Sequence, residues 1–162
     1  YDFEEIPDII EDGTTFKQNA LKKAKTLSDY LHKDVIADDS GLEVFELHNE
    51  PGVYSARYAG ETATYEQNNK LLLKNMDGLM DRKARFVTTI CLYQLKEEPL
   101  YFEDYLYGKI ATEFKGENGF GYDPIFIPEG GKRHLAEYNL NEKNDISHRG
   151  KCTKKLIKYL KK

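Results

Sequence analysis

Two long apolar runs, Ala84 to Leu95 and Leu100 to Tyr107, flank the polar segment Lys96-Glu97-Glu98-Pro99, and this arrangement constrains the fold more than any other feature. Runs of that length on either side of a short polar break read as two strands of a hairpin, and a hairpin makes its strands antiparallel neighbours. Shorter strand-like runs fall near 34–37, 42–47 and 124–127, and helical periodicity marks 14–32, 64–76 and 147–161. The alternation of helices and strands predicts an α/β or α+β chain. A hairpin set among strands separated by helices predicts a mixed sheet.

At 162 residues the chain can bury one substantial core, and without an internal repeat or a linker it reads as one domain. Its formal net charge of -4 argues against a broad nucleic-acid surface, so any phosphate site must be local. No apolar run approaches a membrane span, and the opening Tyr-Asp-Phe-Glu-Glu carries no secretory signal, which predicts a cytoplasmic protein with neither membrane nor nucleic acid as partner. Cys91 and Cys152 lie in an apolar run and a helical pattern, where packing accounts for them better than a metal or a disulfide. From Tyr1-Asp2-Phe3 the chain reaches its first helix by Thr14 without a preceding strand.

Residues with chemical potential gather in four places. On the first helix, Lys23 falls inside the apolar arc of Tyr30, Phe16, Leu27, Ala20, Leu31 and Ala24, whereas Lys22 and Lys25 point away from it. It is either a lysine lying along the core edge with its ammonium in water or an inward cation meant for an anion. Acids cluster before this helix at Glu11-Asp12 and after the next strand at Asp38-Asp39-Ser40-Gly41. They suit turns, because Asp and Ser bond nearby backbone. One acid from each loop, Glu11 and Asp39, would also suit magnesium, which takes one or two carboxylates and is completed by water and substrate phosphates.

The segment Lys115-Gly116-Glu117-Asn118-Gly119-Phe120-Gly121-Tyr122-Asp123-Pro124 sets one aromatic ring between glycines, either as a core plug or as a platform for a nucleobase. Ser147 caps the last helix, and His148 and Arg149 in its first turn lean toward the apolar arc of Tyr159, Cys152, Leu156 and Leu160. With Lys143 they offer donors that suit a keto oxygen, while Lys151, Lys154 and Lys158 read as a solvated face.

Taken in order, Glu-Asp-Gly-Thr-Thr-Phe at 11–16, Asn-Ala-Leu-Lys-Lys-Ala at 19–24, Ala-Asp-Asp-Ser-Gly-Leu at 37–42, Pro-Gly-Val-Tyr-Ser-Ala-Arg-Tyr-Ala-Gly at 51–60, Gly-Glu-Asn-Gly-Phe-Gly-Tyr-Asp-Pro-Ile-Phe at 116–126 and Glu-Lys-Asn before Ile-Ser-His-Arg-Gly at 142–150 resemble the inosine triphosphate pyrophosphatase family. The resemblance runs over nearly the whole chain. It implies an α/β fold with a long central mixed sheet, flanking helices and two lobes around an active-site cleft, in a homodimer. It also implies magnesium-dependent hydrolysis of ITP, dITP and XTP to the nucleoside monophosphate and pyrophosphate, which cleanses the nucleotide pool.

By that resemblance Asp39 activates water and shares the metal with Glu11, while Lys23 and Ser40 face the phosphates. Phe120 stacks on the base within Phe120-Gly121-Tyr122-Asp123, and Lys143, His148 and Arg149 meet its polar edge. The family pattern opens with a strand and a Thr/Ser-Gly-Asn-x-x-Lys phosphate loop, and no such segment occurs in this sequence. The expectation is therefore a family domain over 1–162 shortened at its N-terminus. The alternative is a nucleotide-binding fragment that does not turn over.

Overall fold

The computed structural model describes residues 7–94 and 97–162. The reading of Tyr1-Asp2-Phe3 and the parts of the hairpin connection at Leu95 and Lys96 lie outside the described residues.

The first helix, α1 (Phe16–Leu31), starts where the Thr15 hydroxyl accepts from the Gln18 amide and stops where His32 turns left-handed. Strand β1 (Val35–Val44) follows, then β2 (Glu50–Pro51) and helix α2 (Tyr65–Asn75). The hairpin β3 (Lys83–Tyr93) and β4 (Leu100–Ile110) leads to β5 (Phe126–Pro128) and the helices α3 (Leu140–Ile146) and α4 (His148–Leu160). The strands form one sheet in the order β2-β1-β3-β4-β5.

Every pairing among the described strands is antiparallel, in place of the mixed sheet that was expected. The hairpin sets β3 against β4, and the turn at Phe45–Leu47 and the excursion through α2 both return the chain in the opposite direction. The α/β class and the flanking helices stand.

Strand β3 is central and covered on both faces, which is why its sequence is continuously apolar rather than alternating. On one face Ile90 and Leu92 pack against Cys152 and Leu156 of α4. On the other, Cys91 packs against Ala20 and Ala24 of α1. The two cysteines thus lie free on opposite sides of the sheet, each part of a core. The largest cluster sits at the other end, where Leu42, Val44, Phe86, Leu106 and Phe126 meet Leu72 and Met76 from α2 and the turn after it.

Asp38-Asp39-Ser40-Gly41, read as a turn between two short strands, occupies the middle of the single ten-residue strand β1. Full pairing with β3, from Val35 opposite Tyr93 to Val44 opposite Ala84, overrides the turn preference of these residues. The predicted end of the second run, Phe45–Leu47, is instead a turn of 3₁₀ helix.

Candidate active site

Because successive residues of a strand point to opposite faces, Asp38 and Asp39 serve different sides of the sheet. Asp39 faces α1. Its Oδ1 accepts from the Lys23 ammonium at 3.1 Å and its Oδ2 from the Asn19 side-chain amide at 3.1 Å. The same ammonium donates to Glu11 at 3.0 Å. Lys23, with only 20% of its side chain exposed, is therefore the inward cation of the two readings, and the anions it meets are two carboxylates. Burial pushes the Asp39 carboxyl above the usual carboxylate range, and Lys23 and Asn19 pull against that rise.

Asn19 also holds the loop that carries Glu11: its carbonyl accepts from the Gly13 amide at 2.8 Å, so close that a Cβ on residue 13 would meet it at 2.5 Å. Arg57 donates to the Glu11 carbonyl at 2.8 Å. Neither residue was singled out from sequence. Asn19 precedes Lys23 by four residues and so shares its helix face, which is the signal that points to it.

On the opposite face of β1 lies a cavity of about 590 Å³. Ser40, Phe120, Gly121, Tyr122, Asp123, Lys143, His148 and Arg149 all line it. Every expected base-side residue is thus brought together, and Ser40, expected beside Lys23 at the phosphates, lies on this face with them, while Glu11, Lys23 and Asp39 form a separate group across the strand. The two groups adjoin at Asp39 and Ser40, consecutive residues of β1.

Phe120 is not a core plug. It is 51% exposed, with the Lys143 ammonium 4.6 Å and the Arg149 guanidinium 5.8 Å from its ring centre and Tyr65 alongside at 6.4 Å. The plug is Tyr122, which is buried and donates to the Ser55 carbonyl at 2.8 Å. The Phe120 loop is fixed from within: Asp123 accepts from the Phe120 amide at 2.8 Å and pairs with Lys143. Gly119, at φ 80°, is required there because a Cβ would come within 2.0 Å of the Asp123 carboxylate. Asn69 of α2 steadies the next residue by donating to the Gly121 carbonyl at 2.8 Å.

Lys143 comes from α3, a helix absent from the sequence reading because Leu140–Ile146 is largely polar. Its signal was the capping box formed by Asn139 and Glu142. His148 opens α4 beneath the Ser147 cap and stacks on Phe86, with ring centres 4.8 Å apart and planes at 7°. Burial, with Arg149 and Lys143 nearby, depresses its pKa to about 3, so the imidazole is neutral at physiological pH. Its Nδ1 is buried without a hydrogen-bond partner among the described residues. Of the lysines read as a solvated face, Lys151 instead reaches back to the Tyr105 carbonyl at 3.1 Å.

Sheet, cavity and carboxylate cluster define an α/β protein with a cleft that is acidic on one side of a strand and aromatic and cationic on the other. The chain belongs to the Ham1 family, whose sequence model matches residues 1–159. It is 51% identical over 158 residues to a dITP/XTP pyrophosphatase of Caldanaerobacter subterraneus subsp. tengcongensis, covering 96% of this chain and 78% of the relative. A dITP/XTP pyrophosphatase of Shouchella clausii is 47% identical over 154 residues, covering 94% and 78%. Among solved structures, the Ham1 protein of Staphylococcus aureus superimposes with a TM-score of 0.92 at 44% identity, covering 95% of this chain and 80% of that one. A HAM1 protein from Coxiella burnetii gives 0.92 at 40% identity, covering 96% and 81%. The family expected from the ordered motifs is the family matched. No helix among the described residues is long and apolar enough to cross a membrane.

Proposed function

We propose that the chain hydrolyses non-standard purine nucleoside triphosphates, ITP, dITP and XTP, to the monophosphate and pyrophosphate, acting in the cytoplasm as a homodimer of one-domain subunits. The observation that carries this reading is the position of β1 between two chemically distinct groups, the carboxylate–lysine cluster of Asp39, Glu11 and Lys23 and the base-sized cavity beside Phe120. A triphosphate whose base lies in that cavity carries its phosphates across the strand toward Asp39.

The residues fit a magnesium ion. Glu11 and Asp39 already converge on one cation, the Lys23 ammonium, and two carboxylates are what magnesium takes while leaving places for water and phosphate. No group of three or more His, Cys, Asp or Glu suited to a metal occurs among the described residues, so substrate and water would complete the shell. Bound there, the ion would offset phosphate charge. Asp39 accepts the proton of the attacking water, and Lys23 supplies a positive charge beside the phosphates.

On the base side, Lys143 and Arg149 present only donors and the neutral His148 has an unpartnered nitrogen. A six-keto purine answers such donors with an acceptor, whereas adenine presents an amino donor there and leaves buried groups unpaired. The test compares kcat/KM for dITP, XTP and dATP. dITP and XTP are expected to exceed dATP by at least about a hundredfold, and equal rates would overturn the reading. Phe120→Ala, which removes an exposed ring and leaves the core intact, is expected to lower kcat/KM for dITP by about 1–3 kcal/mol, seen mainly in KM.

A further inference from the structure

Asp38 stands beside a residue assigned to catalysis, yet it faces the other side of the sheet. Its register partner is Ile90, on the face packed by α4, while Asp39 pairs with Thr89 on the face toward α1. Three donors converge on its Oδ2: Arg149 Nε at 3.1 Å, Arg149 Nη2 at 2.9 Å and the Ser40 hydroxyl at 3.2 Å. Ser40 is itself held by the Thr88 hydroxyl at 2.7 Å. Buried Thr88 in the central strand therefore anchors a chain of bonds that runs through Ser40 and Asp38 to the Arg149 guanidinium on the cavity wall.

The pair contributes little to stability, because both side chains are more than a third exposed. What it fixes is direction. Arg149 has a long side chain with several rotatable bonds, and two bonds to one carboxylate oxygen of a rigid strand restrict where its remaining donors point.

We infer that Asp38 is a positioning residue for base recognition: it aims Arg149 at the polar edge of the purine. This rests on the proposed pyrophosphatase reading and extends it to the choice of base. It also gives the two adjacent aspartates separate duties, Asp39 in turnover and Asp38 in selectivity. A carboxylate serves here because a positive guanidinium must be held, and Asp38 reaches it across the cleft between β1 and the start of α4.

The experiment is a double-mutant cycle on the full chain with Asp38→Ala, Arg149→Ala and the pair, measuring kcat and KM for dITP and dATP with magnesium. Asp38→Ala is expected to raise KM for dITP about tenfold with kcat within about twofold, and to narrow the dITP-to-dATP preference by a similar factor. In the Arg149→Ala background the same substitution should change KM by less than about twofold. Asp38→Glu, which restores the carboxylate, should recover part of the loss. Thermal melts establish that each variant is folded. An unchanged or lower KM in Asp38→Ala overturns the inference, as does an undiminished effect in the Arg149→Ala background or a loss confined to kcat. If the parent chain itself releases no pyrophosphate from dITP, the functional reading fails first; fluorescence titration of dITP binding to the same variants then still reads the positioning effect as a tenfold change in Kd, and its absence overturns the inference independently.

Discussion

Asp39→Asn lowers turnover of dITP by about 10²–10⁴-fold while the protein stays folded, the loss expected when a general base is replaced by a group that cannot take a proton. The expectation follows from the setting of this carboxylate, which is buried and accepts from the Lys23 ammonium on one oxygen and from the Asn19 side-chain amide on the other. Asparagine keeps the shape, and removing a buried charge offsets part of what Lys23 loses, since Glu11 remains its partner at 3.0 Å. The thermal midpoint should shift by no more than a few degrees. Steady-state kinetics with dITP, alongside a melt of each protein, checks this. A variant that keeps more than about a tenth of the parent kcat would remove Asp39 from the reaction.

The second large effect is acid lability from His148. Its folded-state pKa is about 3, below the ordinary 6.5, because burial disfavours the imidazolium. Above pH 6.5 the ring is neutral in both states and contributes nothing to the pH dependence. Below it, the unfolded chain binds a proton that the folded chain does not, so stability is lost as pH falls from 6.5 toward about 3. The slope approaches about 1.4 kcal/mol per pH unit, or about 5 kcal/mol over the whole window. Carboxylates paired with cations, such as Glu142 with Arg133, add to acid sensitivity, so the test is a difference. Urea titrations at several pH values should show that unfolding of His148→Phe takes up about one proton fewer than unfolding of the parent between pH 6 and 4. At neutral pH that variant should be at least as stable, because it removes the unpartnered Nδ1 and retains the stack on Phe86. Identical slopes would mean that His148 is not held neutral.

The sequence made the frame legible where one physical signal dominated. Helices α1, α2 and α4 begin after Thr15, Thr64 and Ser147, hydroxyl caps that precede periodic apolar stripes. The hairpin strands were legible because both are long and apolar. Strand β1 was not, since the acids that interrupt its apolar pattern are satisfied by tertiary partners, Lys23 on one face and Arg149 on the other. A local reading cannot see partners 16 and 111 residues away. For the same reason the residues alone left Phe120 open as core plug or platform, and only the fold shows that Tyr122 fills the core while Phe120 stays exposed.

The strict alternation of a strand then supplies what the motif alone leaves open, namely that the two aspartates cannot share one ligand sphere. Both aspartates serve one proposed reaction, cleavage between the α and β phosphates of a keto-purine triphosphate. It is tested most directly by incubating the chain with dITP and magnesium and resolving the products by phosphorus NMR. The expected products are dIMP and pyrophosphate in equal amounts. Release of orthophosphate with dIDP would contradict that cleavage.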